Sequence, residues 1–162
     1  MTPRRTRTMQ SGGERPRATR HRGREAALQM LYQWEVGRTD IDEVARTYWT
    51  LAAGDEAPSG ALQEYAIGLA AGTVKHLGEI DPLIEASTEH WRPARMAIID
   101  RLIIRLAVYE FLHAPETPPT VIINEALELA KTFSAEDAVK FVNGILDGIK
   151  RRLEAGDDPR RA

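Results

Sequence analysis

The chain has 162 residues, with 22 Lys and Arg, 24 Asp and Glu, and no cysteine. That length suits one compact domain burying roughly 70% of its unfolded surface. The absence of cysteine excludes disulfides, thiolate metal sites and Cys nucleophiles, and fits a reducing, cytoplasmic setting. No apolar run approaches the 18 or so residues needed to cross a bilayer, and the N-terminus lacks the apolar core of a signal peptide, so no membrane partner is expected.

The net charge of −2 hides a strong asymmetry. Arg4, Arg5, Arg7, Arg15, Arg17, Arg20, Arg22 and Arg24 crowd the first 24 residues against one carboxylate, Glu14. The rest carries 14 basic and 23 acidic side chains, so a segment near +7 precedes a body near −9. Such an arm attracts polyanions, and arginine suits bidentate phosphate contacts and stacking on unpaired bases, which makes nucleic acid the first partner to test. A solubilising tail is the plainer alternative.

Residues 1–19 offer little to bury and are expected to be a disordered basic extension. From Arg22, Ala27, Leu28, Leu31 and Trp34 recur at helical spacing, with Gly37 placed as a left-handed stop. Asp40 caps a second helix carrying Ile41, Val44, Ala45, Tyr48 and Trp49, followed by a loop over 53–59. A third helix runs from about Ser59 to His76 and is closed by Gly78. Asp81 and Pro82 read as cap and first residue of a short fourth helix with Leu83 and Ile84. Pro93 opens the longest apolar helix, whose stripe of Met96, Ile99, Leu102, Ile103, Leu106 and Tyr109 is broad enough to be buried on several sides. After a proline-rich break at 114–119, a helix spans about Thr120 to Lys131. Ser134 and Asp137 form a capping-box pattern before a last helix holding Ala138, Phe141, Val142, Ile145 and Ile149. No alternating strand pattern appears, so the fold class is all-α: about seven helices in two packed subdomains, 20–78 and 79–153, with a polar tail over 154–162.

Several strings on these helices belong together. They are Arg24-Glu25-Ala26-Ala27-Leu28-Gln29-Met30-Leu31-Tyr32-Gln33-Trp34, Ile99-Asp100-Arg101-Leu102-Ile103-Ile104-Arg105, Ala107-Val108-Tyr109-Glu110, Ile123-Asn124-Glu125-Ala126-Leu127-Glu128-Leu129-Ala130-Lys131 and Lys140-Phe141-Val142-Asn143-Gly144-Ile145-Leu146-Asp147. In this order, over about Arg20 to Leu153, they resemble the NusB family of transcription antitermination factors. The resemblance implies two helical subdomains and binding of boxA RNA in ribosomal RNA transcripts together with NusE, a small-subunit ribosomal protein, within the antitermination complex on RNA polymerase. It implies no enzyme activity and no cofactor, and it admits a homodimer, since some members self-associate. The RNA-binding domain of ribosomal RNA methyltransferases is also similar, but a chain ending at Ala162 is expected to leave no room for methyl transfer.

By the same resemblance, Arg20, Arg22 and Arg24 at the entrance to helix one, and Asp137, Lys140 and Phe141 at the start of the last helix, are RNA-facing. His21 and Gly23 interrupt the arginine run. Each position has a structural alternative: Phe141 adjoins the apolar stripe, and Asp137 can close the capping box, which is the leading reading for it. Asn143 and Gly144 are expected at a close helix contact, and Arg101, Arg105, Glu110 and Glu125 as ion pairs between helices, because unpaired charges on apolar segments are costly. His21, His76, His90 and His113 show no metal-ligand spacing, so no metal is expected. An alternative function is a protein-interaction or dimerisation scaffold with incidental RNA binding.

Overall fold

A computed structural model describes residues 16–52, 60–88 and 95–158. Seven α-helices follow one another with no strand among the described residues: α1 (Pro16–Gly37), α2 (Ile41–Ala52), α3 (Gly60–Lys75), α4 (Leu77–Ala86), α5 (Ile98–His113), α6 (Pro119–Phe133) and α7 (Ala138–Glu154). The expected loop over 53–59, the helix start at Pro93 and residues 1–15 of the expected disordered arm lie outside the described residues.

α1 runs along α3 and also touches α2 and α5, while α5 touches α1, α3, α4, α6 and α7. That central place explains its composition. Leu102, Ile103, Ile104, Leu106, Ala107 and Val108 are all buried, as a helix packed on several sides requires. One continuous core joins these residues to Leu28 and Leu31 of α1, Leu69 of α3, Leu83 and Ile84 of α4, Ile122 and Leu129 of α6 and Leu146 of α7.

Local signals set some boundaries and mislead at others. The Oδ1 of Asp40 accepts the Asp42 backbone N–H at 2.9 Å, the capping arrangement expected for α2. α1 begins earlier than expected, at Pro16, so residues 16–19 are helical rather than part of a disordered arm. Proline suits a first helical turn, where its missing N–H has no helical partner to lose. At the other end α1 includes Gly37, and Arg38 takes the left-handed conformation with φ +52°. Pro82 lies inside α4 rather than at its start, and Asp81 is an ion-pair partner of Arg105 instead of a cap. α3 gives way to α4 at His76, not Gly78: the His76 carbonyl accepts the N–H groups of Glu79 and Ile80, both at 3.0 Å.

The capping box before α7 does not form. Asp137 flanks the helix without a side-chain cap bond, and the Ser134 hydroxyl donates to the buried Asp100 of α5. Asn143 and Gly144 are exposed, and a Cβ on Gly144 would meet nothing within 4 Å, so neither sits at a close helix contact. A close contact occurs at Gly23 instead. A Cβ there would fall 2.4 Å from Tyr65 Cδ1, so only glycine lets the Tyr65 ring lie against α1.

Candidate nucleic-acid interface

The arginines that look contiguous in sequence are separated by the helix that carries them. Residues two apart on an α-helix point about 200° from each other. Arg20 lines a cleft of about 400 Å³ between α1, α3 and α5, with Glu64, Tyr65, Glu110, His113 and Glu116 on its walls. Arg22 is exposed, and its place on the helix is about 200° round from that of Arg20.

Arg24 turns inward. It is 2% exposed, and its Nε donates to Glu110 Oε2 at 3.0 Å while Nη2 donates to Oε1 at 2.7 Å. Glu125 Oε2 lies 4.0 Å from Nη1. The expectation that Arg24 contacts RNA is therefore corrected: a guanidinium enclosed by protein and chelated by a carboxylate has no face to offer a phosphate. Burial alone lowers its pKa, but hydrogen bonding and the charge of Glu110 outweigh that and the net shift is upward.

The same carboxylates organise His21. Its Nε2 lies 2.9 Å from Glu25 Oε1 and its Nδ1 2.9 Å from Glu125 Oε2. Carboxylates only accept, so both contacts are hydrogen bonds only when both ring nitrogens carry protons. The Glu125 hydrogen bond raises the pKa of His21, desolvation opposes it, and the Glu25 charge adds to the rise. A raised folded-state pKa contributes stability that is complete below the unfolded value of 6.5 and is lost as pH rises through the folded value. We therefore expect the stability difference between the parent chain and His21→Ala to shrink steadily from pH 5.5 to 8.5 in urea titrations. A difference that stays constant would show that His21 is not held as a cation.

Tyr65 closes the inner wall. Its hydroxyl is pushed up to about 12, first by burial and next by the Glu110 charge, so it stays a neutral donor.

The start of α7 forms a different surface. Asp137 and Phe141 line a groove of about 620 Å³ together with Tyr32 of α1, Ile98 and Asp100 of α5, and Phe133. Phe141 is half-buried and packs against the core while bordering this groove, so its two expected roles are geometrically compatible. Lys140 is exposed. Tyr32 stands 10 to 12 residues after the arginines, about 15–18 Å along the helix axis. The two expected RNA-facing sets thus occupy separate stretches of surface.

The family model described as NusB family matches residues 21–151, which takes in all of this arrangement except Arg20. The chain belongs to the NusB family. The transcription antitermination protein NusB of Koribacter versatilis is 44% identical over 137 residues, covering 85% of this chain and 92% of that protein. NusB of Solibacter usitatus is 42% identical over 142 residues, covering 88% and 95%. Among solved structures, T. maritima NusB superposes with a TM-score of 0.74 at 34% identity, covering 88% of this chain and 94% of that one. A chain from a crystal structure of antitermination factors NusB and NusE in complex with dsRNA gives 0.72 at 26% identity, covering 83% and 97%.

In this NusB-family chain the expected ion pairs between helices are present. Arg105 Nε donates to Asp81 Oδ1 at 2.9 Å, Arg101 pairs with Glu35, and Glu110 and Glu125 engage Arg24 and His21. Glu128, one turn from Glu125, faces outward and pairs with Lys131 at 3.2 Å. The reading from sequence missed Tyr65 and Glu110 as neighbours of Arg20, and Tyr32 as a neighbour of Phe141. One signal was available: Arg24 stands in helical register with Leu28 and Leu31, on the apolar stripe.

Proposed function

We infer that this chain is a transcription antitermination factor that binds boxA RNA of ribosomal transcripts together with NusE, as part of the antitermination complex on RNA polymerase. The observation that carries this is the family match over residues 21–151, supported by the likeness to a chain from a structure of antitermination factors NusB and NusE in complex with dsRNA. In this reading the chain is an adaptor without catalytic chemistry, acts in the cytoplasm, and needs no cofactor. Arg20 and Arg22 supply phosphate attraction, Lys140 adds charge at the start of α7, and Phe141 with Tyr32 offers aromatic surface to an unpaired base. Asp137, a carboxylate beside that surface, accepts a base amino proton rather than holding the backbone. Arg24 positions α1 from within.

The test is fluorescence anisotropy with single-stranded boxA RNA across a salt series, with and without NusE. Binding should weaken with salt at a slope of about −0.7 per neutralised phosphate. The Arg20→Ala/Arg22→Ala pair should lower affinity and flatten the slope by about 1.4 if each arginine neutralises one phosphate. An unchanged slope would remove these arginines from the interface. Tight NusE binding with no gain from RNA would favour the interaction-scaffold reading.

A further inference from the structure

Two side chains one helical turn apart and a third remote in sequence meet at the elbow between α3 and α4. A ring nitrogen of His76, one of His113 and a carboxylate oxygen of Glu79 lie within 4.8 Å of one another, one ligand atom from each residue. His113 Nε2 is 3.0 Å from Glu79 Oε2, and the two imidazole centroids are 4.1 Å apart. Sequence spacing gave no hint of the pair of histidines, because α5 brings His113 back to the elbow 37 positions after His76.

The elbow is organised beyond this convergence. His76 Nδ1 lies 2.8 Å from the Gly72 carbonyl oxygen, an acceptor, so the hydrogen bond places the proton on Nδ1 and the lone pair of the neutral ring on Nε2. A backbone carbonyl fixing one nitrogen while the other faces a ligand is the usual support of a metal-binding histidine. Tyr109 stacks on His113 at 5.2 Å and lies 5.7 Å from His76. It reaches this position because Gly72 has no side chain: a Cβ there would fall 2.3 Å from Tyr109 Cζ.

We propose that His76, Glu79 and His113 form a binding site for one zinc-type transition-metal dication that ties the α3–α4 elbow to the end of α5. Two imidazoles and one carboxylate with no thiolate suit zinc, and a water completes a four-coordinate shell. On a tetrahedral ion with bonds of about 2.0–2.1 Å the ligand atoms stand roughly 3.3 Å apart, so side-chain rotations of about an ångström complete the shell. The His113–Glu79 contact then becomes two bonds to the ion. His113 also lines the Arg20 cleft, so the ion adds positive charge beside walls that carry Glu64, Glu110 and Glu116.

Isothermal titration of the full chain with zinc chloride, with magnesium chloride as control, tests the site. One zinc per chain and no magnesium heat are expected. Zinc affinity should fall at least tenfold in His113→Asn and in Glu79→Gln, with helical circular dichroism unchanged. Histidine-selective NMR should show the His76 and His113 ring signals moving together on zinc addition, while His21 stays in place. Zinc binding that survives both substitutions, or no binding at millimolar zinc, overturns the proposal. If a variant loses helicity, the NMR titration of the parent chain decides: movement confined to other histidines rejects the site.

Discussion

Replacing Arg24 by alanine is expected to lower folding stability by about 3–5 kcal/mol, the cost of leaving a buried partner charge uncompensated. The side chains of Arg24 and Glu110 are each 3% exposed, and the neighbouring His21 faces Glu125 and Glu25. Glu110→Ala should cost a similar amount, because it strands the guanidinium instead. The double replacement Arg24→Met with Glu110→Leu should recover most of the loss, since apolar side chains of similar volume often substitute for a buried ion pair at little cost. Urea denaturation of the three variants measures this directly, and the recovery in the double replacement relative to either single one is the decisive quantity. A loss below about 1 kcal/mol for Arg24→Ala is what an exposed pair gives and would contradict burial. The result bears on function, because an RNA-binding defect in Arg24→Ala would then report a displaced α1 rather than a missing phosphate contact.

The second large effect is expected at Gly23. In an exposed helix interior, glycine to alanine gains about 0.8–1 kcal/mol from propensity alone. Here the added methyl would sit 2.4 Å from Tyr65 Cδ1 and 2.9 Å from Cε1, on the flank of the ring rather than at its tip. The whole ring must move, and overpacking of this kind costs about 1–3 kcal/mol. Gly23→Ala is therefore expected to destabilise the fold by up to about 2 kcal/mol, the difference between overpacking and propensity. In a Tyr65→Ala background the sign should reverse, because the obstacle is gone and only the propensity gain remains. Thermal or urea unfolding of the four-member cycle checks this, and a destabilising Gly23→Ala in both backgrounds would place its cost elsewhere.

Much of the helical order is readable along the chain, and the errors have a common origin. The stripe of Leu102, Ile103 and Leu106 announced a buried helix because apolar spacing is a property of the helix itself. Asp40 announced α2 for the same local reason. Ser134 and Asp137 had the correct spacing for a capping box, yet the Ser134 hydroxyl is taken by Asp100 from another helix. Pro82 looked like a helix start, but α4 begins at Leu77, just after His76, whose carbonyl accepts the N–H groups of Glu79 and Ile80. His76 and His113 carried no recognisable spacing, since their proximity depends on how α5 packs against the elbow.

The site follows the same division. Sequence alone determined the charge asymmetry, the order of the helices, the family and the need for partners for Glu110 and Glu125, because each is carried by composition or by spacing within one helix. The register of Arg24 with Leu28 and Leu31 hints that it turns inward, but what holds it there was decided by the tertiary structure. Arg20, Arg22 and Arg24 are chemically alike, but α1 turns them to different sides, and the carboxylates that α5 and α6 bring beneath it draw Arg24 into the interior.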